Sequence, residues 1–348
     1  MPIRFPAFAP PVLRPLPVAT PLASPAPRFA GNPFGTVQQR AAAITALQQG
    51  WTTGSDERKI RDIILSTTGP ELSTLKRLID LGGENHDLLH MLTDDIDNAT
   101  IRAQIRAHFA TASVPSGQVK VYSDIDDTFY SNLKDDRFPK GTLYPGVRAF
   151  YRALDLGRAG SDATGDMLFL TARPGIMENS TLSMLRGRGV PEASVLEGNL
   201  FDSLHLTEAG RNNAYAATKV NNFMAHRALY PEYASVFIGD SGQGDAIAGA
   251  EMLSRAPASV RAVYINNVTN MTAAQRAAMT GQGIMVIDSY VDAAIDAFNR
   301  GLISRASLSA VATAARTELN AMTNLSAAQR SAANAVLTAA EARVALIP

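Results

Sequence analysis

Three carboxylates crowd into the stretch Asp124-Ile125-Asp126-Asp127, directly after Val119-Lys-Val-Tyr-Ser123. The alternating apolar run with two valines reads as a strand. Such a strand delivers the carboxylates to its C-terminal tip, where open α/β sheets bind ligands. Like charges packed there are costly unless a cation neutralises them or one carboxyl keeps a proton. A plain polar turn after a strand would look the same, so this cluster alone does not decide between the two.

Three further segments carry reactive side chains at comparable places. Asp166-Met-Leu-Phe-Leu-Thr171-Ala-Arg173-Pro174 is an apolar strand ending in a hydroxyl and a guanidinium. Lys219 lies early in a helical stretch, and no other lysine follows before Asp240. Val236-Phe-Ile-Gly239-Asp240-Ser241-Gly-Gln-Gly-Asp245 is an apolar run ending in two carboxylates, with glycines shaping the loop. Each has an ordinary reading: Thr171 as a helix cap, Lys219 as a solvated lysine, Arg173 as a surface arginine beside a proline. A parallel sheet would gather all four segments at one edge.

In form and order these motifs resemble the haloacid dehalogenase superfamily of aspartyl phosphatases, over residues of about 118 to 265. Ser123-Asp-Ile-Asp-Asp-Thr128, Leu170-Thr-Ala-Arg-Pro174 and Gly239-Asp-Ser-Gly-Gln243 narrow the resemblance to the catalytic domain of the actin-patch-type phosphatidate phosphatases. The resemblance implies Asp124 as nucleophile and Asp126 as the acid and base that serves the leaving oxygen and the attacking water. It implies a Mg²⁺ ion held by Asp124, Asp126 (through its backbone carbonyl), Asp240 and Asp245. Thr171 and Lys219 would hold the phosphoryl oxygens, and Arg173 would grip the substrate phosphate. Asp127 fills a variable position and is given a structural role. An acid at Asp126 points to a phosphatase, because dehalogenase members lack one there.

The elements that must position these residues follow from periodicity. Strands are expected at 119–123, 166–170, 193–196, 234–238, 260–265 and 283–287, with helices at about 146–156, 176–188, 213–229 and 244–255. That alternation predicts an α/β fold, a Rossmann-like parallel sheet flanked by helices. Residues 1–36 are rich in Pro and Ala and read as a disordered arm. Residues 37–113 read as an all-helical module, 114–300 as the catalytic domain, and 301–348 as an Ala-rich helical tail. His86 and His90 share a helical spacing suited to a metal pair, but without a third ligand they read as solvated or capping histidines. Asp94-Asp95-Ile96-Asp97 reads as a helix-terminal cap. Thr272-x-x-Gln275 and Ser326-x-x-Gln329 are capping boxes and each should open a helix.

Composition sets outer bounds. Lys+Arg and Asp+Glu balance at 32 each, so no net charge draws the chain to nucleic acid. Cysteine is absent, which excludes disulfides, thiolate zinc sites and cysteine nucleophiles. No apolar run is long enough to span a membrane, and prolines interrupt the N-terminus where a signal peptide needs an apolar helix. The expected place is the cytoplasm or a membrane periphery, with export by another route left open. Gly239-Asp-Ser-Gly242 echoes a serine-protease segment but sits among parallel-strand patterns. Phe129 stands where a calcium loop needs glycine.

The interval between Asp124 and Thr171 leaves no room for a large lid domain, and an open site suits a bulky substrate. The first expectation is hydrolysis of a lipid phosphomonoester, phosphatidate giving diacylglycerol, with a membrane lipid as partner. Phe129, Tyr130, Phe138 and Tyr144 would either touch the lipid interface or pack on the sheet. A soluble phosphate ester or phosphoprotein is the second expectation. The third is a docking protein whose catalysis is incidental.

Overall fold

The computed structural model describes residues 32–81, 87–160, 167–174, 178–190, 194–198 and 206–347. The expected arm therefore lies almost wholly outside the described residues, as does His86. His90 is half-buried beside Asp94 and Asp95.

Apolar residues recurring every three or four positions build α1 (Val37–Leu47), α2 (Gly54–Leu65), α3 (Gly69–Asp80), the single turn α4 (Leu88–His90) and α5 (Ala99–His108). Thr36 and Thr53 open α1 and α2 with reciprocal capping boxes. The helices close over their own core, which includes Ile44, Ile60, Leu72, Leu75 and Ile105. The acidic run at 94–97 is not the cap that its composition suggests. Met91–Asp95 is a π-helical turn, Ile96 is buried, and Asn98 caps α5 by accepting from the N–H groups of Thr100 and Ile101. Asn98 wins the role because it stands immediately before the first helical residue.

Among the described residues six parallel strands follow: β1 (Val119–Ser123), β2 (Met167–Pro174), β3 (Ser194–Gly198), β4 (Ala234–Asp240), β5 (Val260–Asn266) and β6 (Met285–Ile287). Their order in the sheet is β3-β2-β1-β4-β5-β6. Side chains alternate between two faces, as a strand's period of two requires. Val121, Phe169, Val236, Ile238 and Tyr264 enter one core. Tyr122, Leu168, Phe237, Val263 and Ile265 enter the other.

The first face is covered by α6 (Val147–Leu156) and α7 (Glu178–Gly187). The second is covered by α8 (Glu208–Arg227), α9 (Asp245–Arg255) and the edge of α10 (Ala273–Gly281). The chain returns to the first face with α11 (Tyr290–Asn299), α12 (Arg305–Ala321) and α13 (Ala327–Ala345). Thr272 and Ser326 form the capping boxes expected of them. The Ala-rich C-terminal helices do more than trail the sheet: Leu308, Val311, Ala315, Leu319 and Leu337 share the first core. Among the described residues no helix is long and apolar enough to cross a membrane.

Of the two readings of the flap that follows β1, packing on the sheet is the one that holds. Phe129, Tyr130, Phe138 and Tyr144 are all buried in the first core and do not face an interface. Tyr144 also donates its hydroxyl to Asp135, and Phe129 stacks on Tyr151. Large aromatics gain most by filling the space where the flap folds back over the sheet.

The helical module is fastened to the sheet by buried polar groups as well as by Leu229, Tyr230 and Tyr233 in its core. Lys76 donates to the Leu229 carbonyl and pairs with Glu232 at 2.8 Å, both fully inside. Asp80 accepts from Tyr230 and pairs with His226 Nε2 at 3.1 Å. The other ring nitrogen of His226 lies 3.1 Å from the Tyr122 hydroxyl on β1. Burial alone would raise the Asp80 carboxyl, but His226, Lys120 and Tyr230 outweigh it and hold it below the ordinary range. A carboxyl depressed in the folded state adds stability above its unfolded value of about 4, and loses it as pH falls through the folded value. Asp80→Ala should lower stability at pH 7 by about 3 kcal/mol, read from the urea midpoint. The gap to wild type should narrow as pH drops below about 4; a constant gap would show that Asp80 acts through packing alone.

Candidate active site

The order of the strands reverses between β1 and β4, the switch point at which open α/β sheets bind ligands. β1 ends one residue before Asp124, whose N–H continues the ladder by donating to the Ile238 carbonyl at 2.9 Å. β4 ends at Asp240. The two carboxylates are thus brought to adjacent strand tips by register alone.

Asp245 arrives from the first residue of α9, and glycine is what lets it come so close. A Cβ at Gly239 would lie 2.5 Å from the Asp245 Cβ. Gly244 caps α9 in the left-handed region at φ 93°, and a Cβ there would lie 2.3 Å from the Asn212 carbonyl oxygen. The Gly-rich loop of the sequence therefore has two steric jobs, one against a carboxylate and one against α8.

Lys219 sits in the middle of α8, since the Thr207 cap starts that helix earlier than its apolar spacing suggests. Its Nζ donates to Asp124 Oδ1 at 2.6 Å and to Asp245 Oδ1 at 2.5 Å. Asp245 Oδ2 accepts the Asp240 N–H at 3.2 Å, and Asp240 Oδ1 accepts the Gly242 N–H at 2.5 Å. All four side chains are buried. Three carboxylates face one ammonium. Burial pushes the Asp124 carboxyl up to about 7 against the pull of Lys219, with Asp245 and Asp126 adding to the rise. Burial, then Asp245 and Asp124, push the Asp240 carboxyl well above its ordinary value. Burial would lower the Lys219 ammonium, but Asp124 and Asp245 reverse this and hold it firmly protonated.

The arrangement fits a divalent cation. One carboxylate oxygen each from Asp124, Asp240 and Asp245 lie within 4.8 Å of one another. Asp124 Oδ2 and Asp240 Oδ2 are buried and without a hydrogen-bond partner. Buried anionic oxygens left so are expensive unless a charge meets them. Both Asp245 oxygens already accept hydrogen bonds, so the open valences belong to Asp124 and Asp240.

Asp126 forms a second cluster beside the first. Its Oδ1 accepts from Arg173 Nη2 at 2.7 Å, Asn132 Nδ2 at 2.7 Å and the Tyr130 hydroxyl at 3.1 Å, and its Oδ2 accepts from Arg173 Nε at 3.1 Å. Thr171 is buried within β2, which runs on past it to Pro174, and its hydroxyl accepts the Arg173 N–H at 3.2 Å. Asp127 is structural, as expected: at φ 58° its carboxylate accepts from the N–H groups of Asn132, Leu133 and Lys134 and fixes the flap turn. The structure thus joins Asp124, Lys219, Asp240 and Asp245 in one cluster and Asp126 with Arg173 in the next. The sequence reading missed Asn132 altogether, and of Tyr130 it missed the contact with Asp126. Both lie within the flap just beyond the motif, but loop positions carry no periodicity to mark them.

Residues 119–267 match the model of the catalytic domain of phosphatidate phosphatase APP1. By this match the stretch is similar to a phosphatase catalytic domain. The match runs from the first residue of β1 to just past β5, contains every residue of both clusters, and agrees with the resemblance read from the motifs. By class the activity is that of a phosphoric monoester hydrolase. Residues 306–346, spanning most of α12 and all of α13, match the model of the GA module. No curated protein and no solved structure matches the chain.

The glycine geometry can be tested directly. Gly244→Ala combines left-handed strain with a backbone clash and should cost more than about 3 kcal/mol. Gly283 is also left-handed, at φ 82°, but has only Leu253 at 3.6 Å nearby. Gly283→Ala should therefore cost about 1 kcal/mol. Thermal unfolding of the two variants measures the difference, and equal melting temperatures would show that Asn212 gives way.

Proposed function

We propose that the chain is a Mg²⁺-dependent phosphatase working through an aspartyl-phosphate, and that its substrate is a lipid phosphomonoester, phosphatidate giving diacylglycerol. The observation that carries this reading is the pair of buried, unpartnered oxygens on Asp124 and Asp240 at the switch point of a phosphatase domain.

In this reading an Asp124 oxygen attacks phosphorus while the bond from phosphorus to the ester oxygen breaks. Asp126 gives its proton to that leaving oxygen. Asp126 then takes a proton from water, the water oxygen attacks phosphorus, and the bond to Asp124 breaks to release inorganic phosphate. Thr171 and Lys219 hold the phosphoryl oxygens through both steps. Asp124, Asp240 and the Asp126 carbonyl would hold Mg²⁺, with Asp245 behind them. The ion would supply positive charge to the clustered carboxylates and to the phosphate. Arg173, salt-bridged to Asp126, is placed to exchange that carboxylate for a substrate phosphate and so release the acid for its work.

Support for a lipid comes from the surface around the rim. Leu133 in the flap is 54% exposed and Ile247 in the first turn of α9 is 46% exposed. Each lies close in sequence to a cluster residue, Asn132 and Asp245 respectively. The buried flap aromatics contribute nothing to such an interface.

Asp124→Asn should abolish turnover with the fold intact, and retained activity would remove the nucleophile assignment. Asp126→Asn should lose at least about a hundredfold on alkyl phosphates and much less on p-nitrophenyl phosphate, whose leaving group needs no proton. Chelation should stop hydrolysis and Mg²⁺ should restore it. Since burial lifts the Asp124 carboxyl to about 7, cation binding must displace protons near neutrality. Calorimetric titration should show proton release at pH 7 and weaker binding at pH 6; pH-independent binding would contradict the site. Turnover of phosphatidate vesicles against soluble esters separates the lipid substrate from the soluble alternative.

A further inference from the structure

Beside the catalytic rim lies a cavity of about 300 Å³ that neither cluster uses. One wall is aromatic, from Phe138, Tyr144 and Tyr290; the opposite wall is α13, which presents Ala332, Ala333 and Val336. Small residues on that face of α13 keep the space open where larger side chains would close it. The size is that of a small-molecule site, with a mostly apolar lining and few polar groups.

The charged groups that line it are already engaged. Arg137 spends its donors on Asp135, on Asn266 Oδ1 at 2.9 Å and on the Asp288 carbonyl. Asp288 is paired with Arg276 at 2.5 Å and accepts from Asn267 at 2.9 Å. Among the described residues no unpaired charge faces the space, so its occupant is uncharged.

Position links the cavity to the chemistry. Asn266 ends β5 and is the register partner of Asp240, one strand spacing of about 4.8 Å away. Its Nδ2 donates to the Asp127 carbonyl at 2.8 Å, so one side chain touches both the cavity and the motif loop. A ligand with an anionic head at Asp124 and Asp240 and an uncharged tail beyond β5 would meet both environments.

We propose that this cavity between the flap and α13 receives an acyl chain of the substrate, a subsite that rests on the lipid reading above. The C-terminal helix pair then forms part of the substrate site.

The test compares kcat/KM for dioctanoyl and dibutanoyl phosphatidate below their aggregation limits, with p-nitrophenyl phosphate as a measure of intact chemistry. Wild type should prefer the eight-carbon chains by about tenfold or more. Ala333→Leu fills the cavity from α13 and should erase that preference while p-nitrophenyl phosphate turnover stays unchanged. Ala332→Leu, more exposed on the same wall, gives the same readout should the first variant fail to fold. Lipid hydrolysis with the chain-length ratio preserved in the folded variant overturns the subsite and leaves the lipid reading standing. Turnover of p-nitrophenyl phosphate by wild type with neither lipid hydrolysed overturns both.

Discussion

Buried negative charge at the tips of β1 and β4 is the constraint around which the rest of the site is arranged. Asp124 and Asp240 are brought together by strand register, and Asp245 is carried in by a helix that glycines allow to approach. Like charges packed this tightly out of water would oppose folding. Lys219 offsets part of the excess by reaching two carboxylates at once. What it leaves unmet are two oxygens, on Asp124 and Asp240, where a cation and a phosphate would meet. The tension in the resting protein and its capacity for chemistry have the same origin.

The flap converts that charge cluster into a site with distinct parts. Asp127 ties down its turn, so Asn132 and Tyr130 can meet the same Asp126 oxygen as Arg173, which also donates to the Tyr130 hydroxyl. Further along, Asp135 gathers Arg137 and Tyr144, and Arg137 reaches across to Asn266 on β5. Gln329 of α13 donates to the Asp136 carbonyl and closes the far side. A set of hydrogen bonds thus runs along the flap from Asp126 to α13.

Much of this was legible in the sequence because strands announce themselves by alternation and carry their reactive residues at their ends. The α/β class, the strand positions and the meeting of Asp124 with Asp240 follow from that rule, whereas Lys219 and Asp245 lie on helices and were joined to them by the resemblance. Local chemistry was equally readable at Thr272 and Ser326, where a capping box needs only a short spacing. Contacts between segments distant in sequence were not. The flap aromatics look like interface residues in composition, yet tertiary packing buries them. The apolar stripe of Leu308, Val311, Ala315 and Leu319 marks α12 as amphipathic without saying that the sheet's first core is its partner. Asp126 meets Tyr130 and Asn132 through an irregular loop, for which no period exists.

The long helix α8 is held at both ends of its working length. Lys219 projects from its middle into the carboxylates, and about two turns later His226 is clamped between Asp80 of the helical module and Tyr122 of β1. Tyr122 in turn lies two residues before Asp124. A rotation of the module about this joint would turn the helix on its axis, and the ammonium would swing out of line with Asp124. Residues 37–113 therefore behave as a splint for the lysine, not as a detachable passenger.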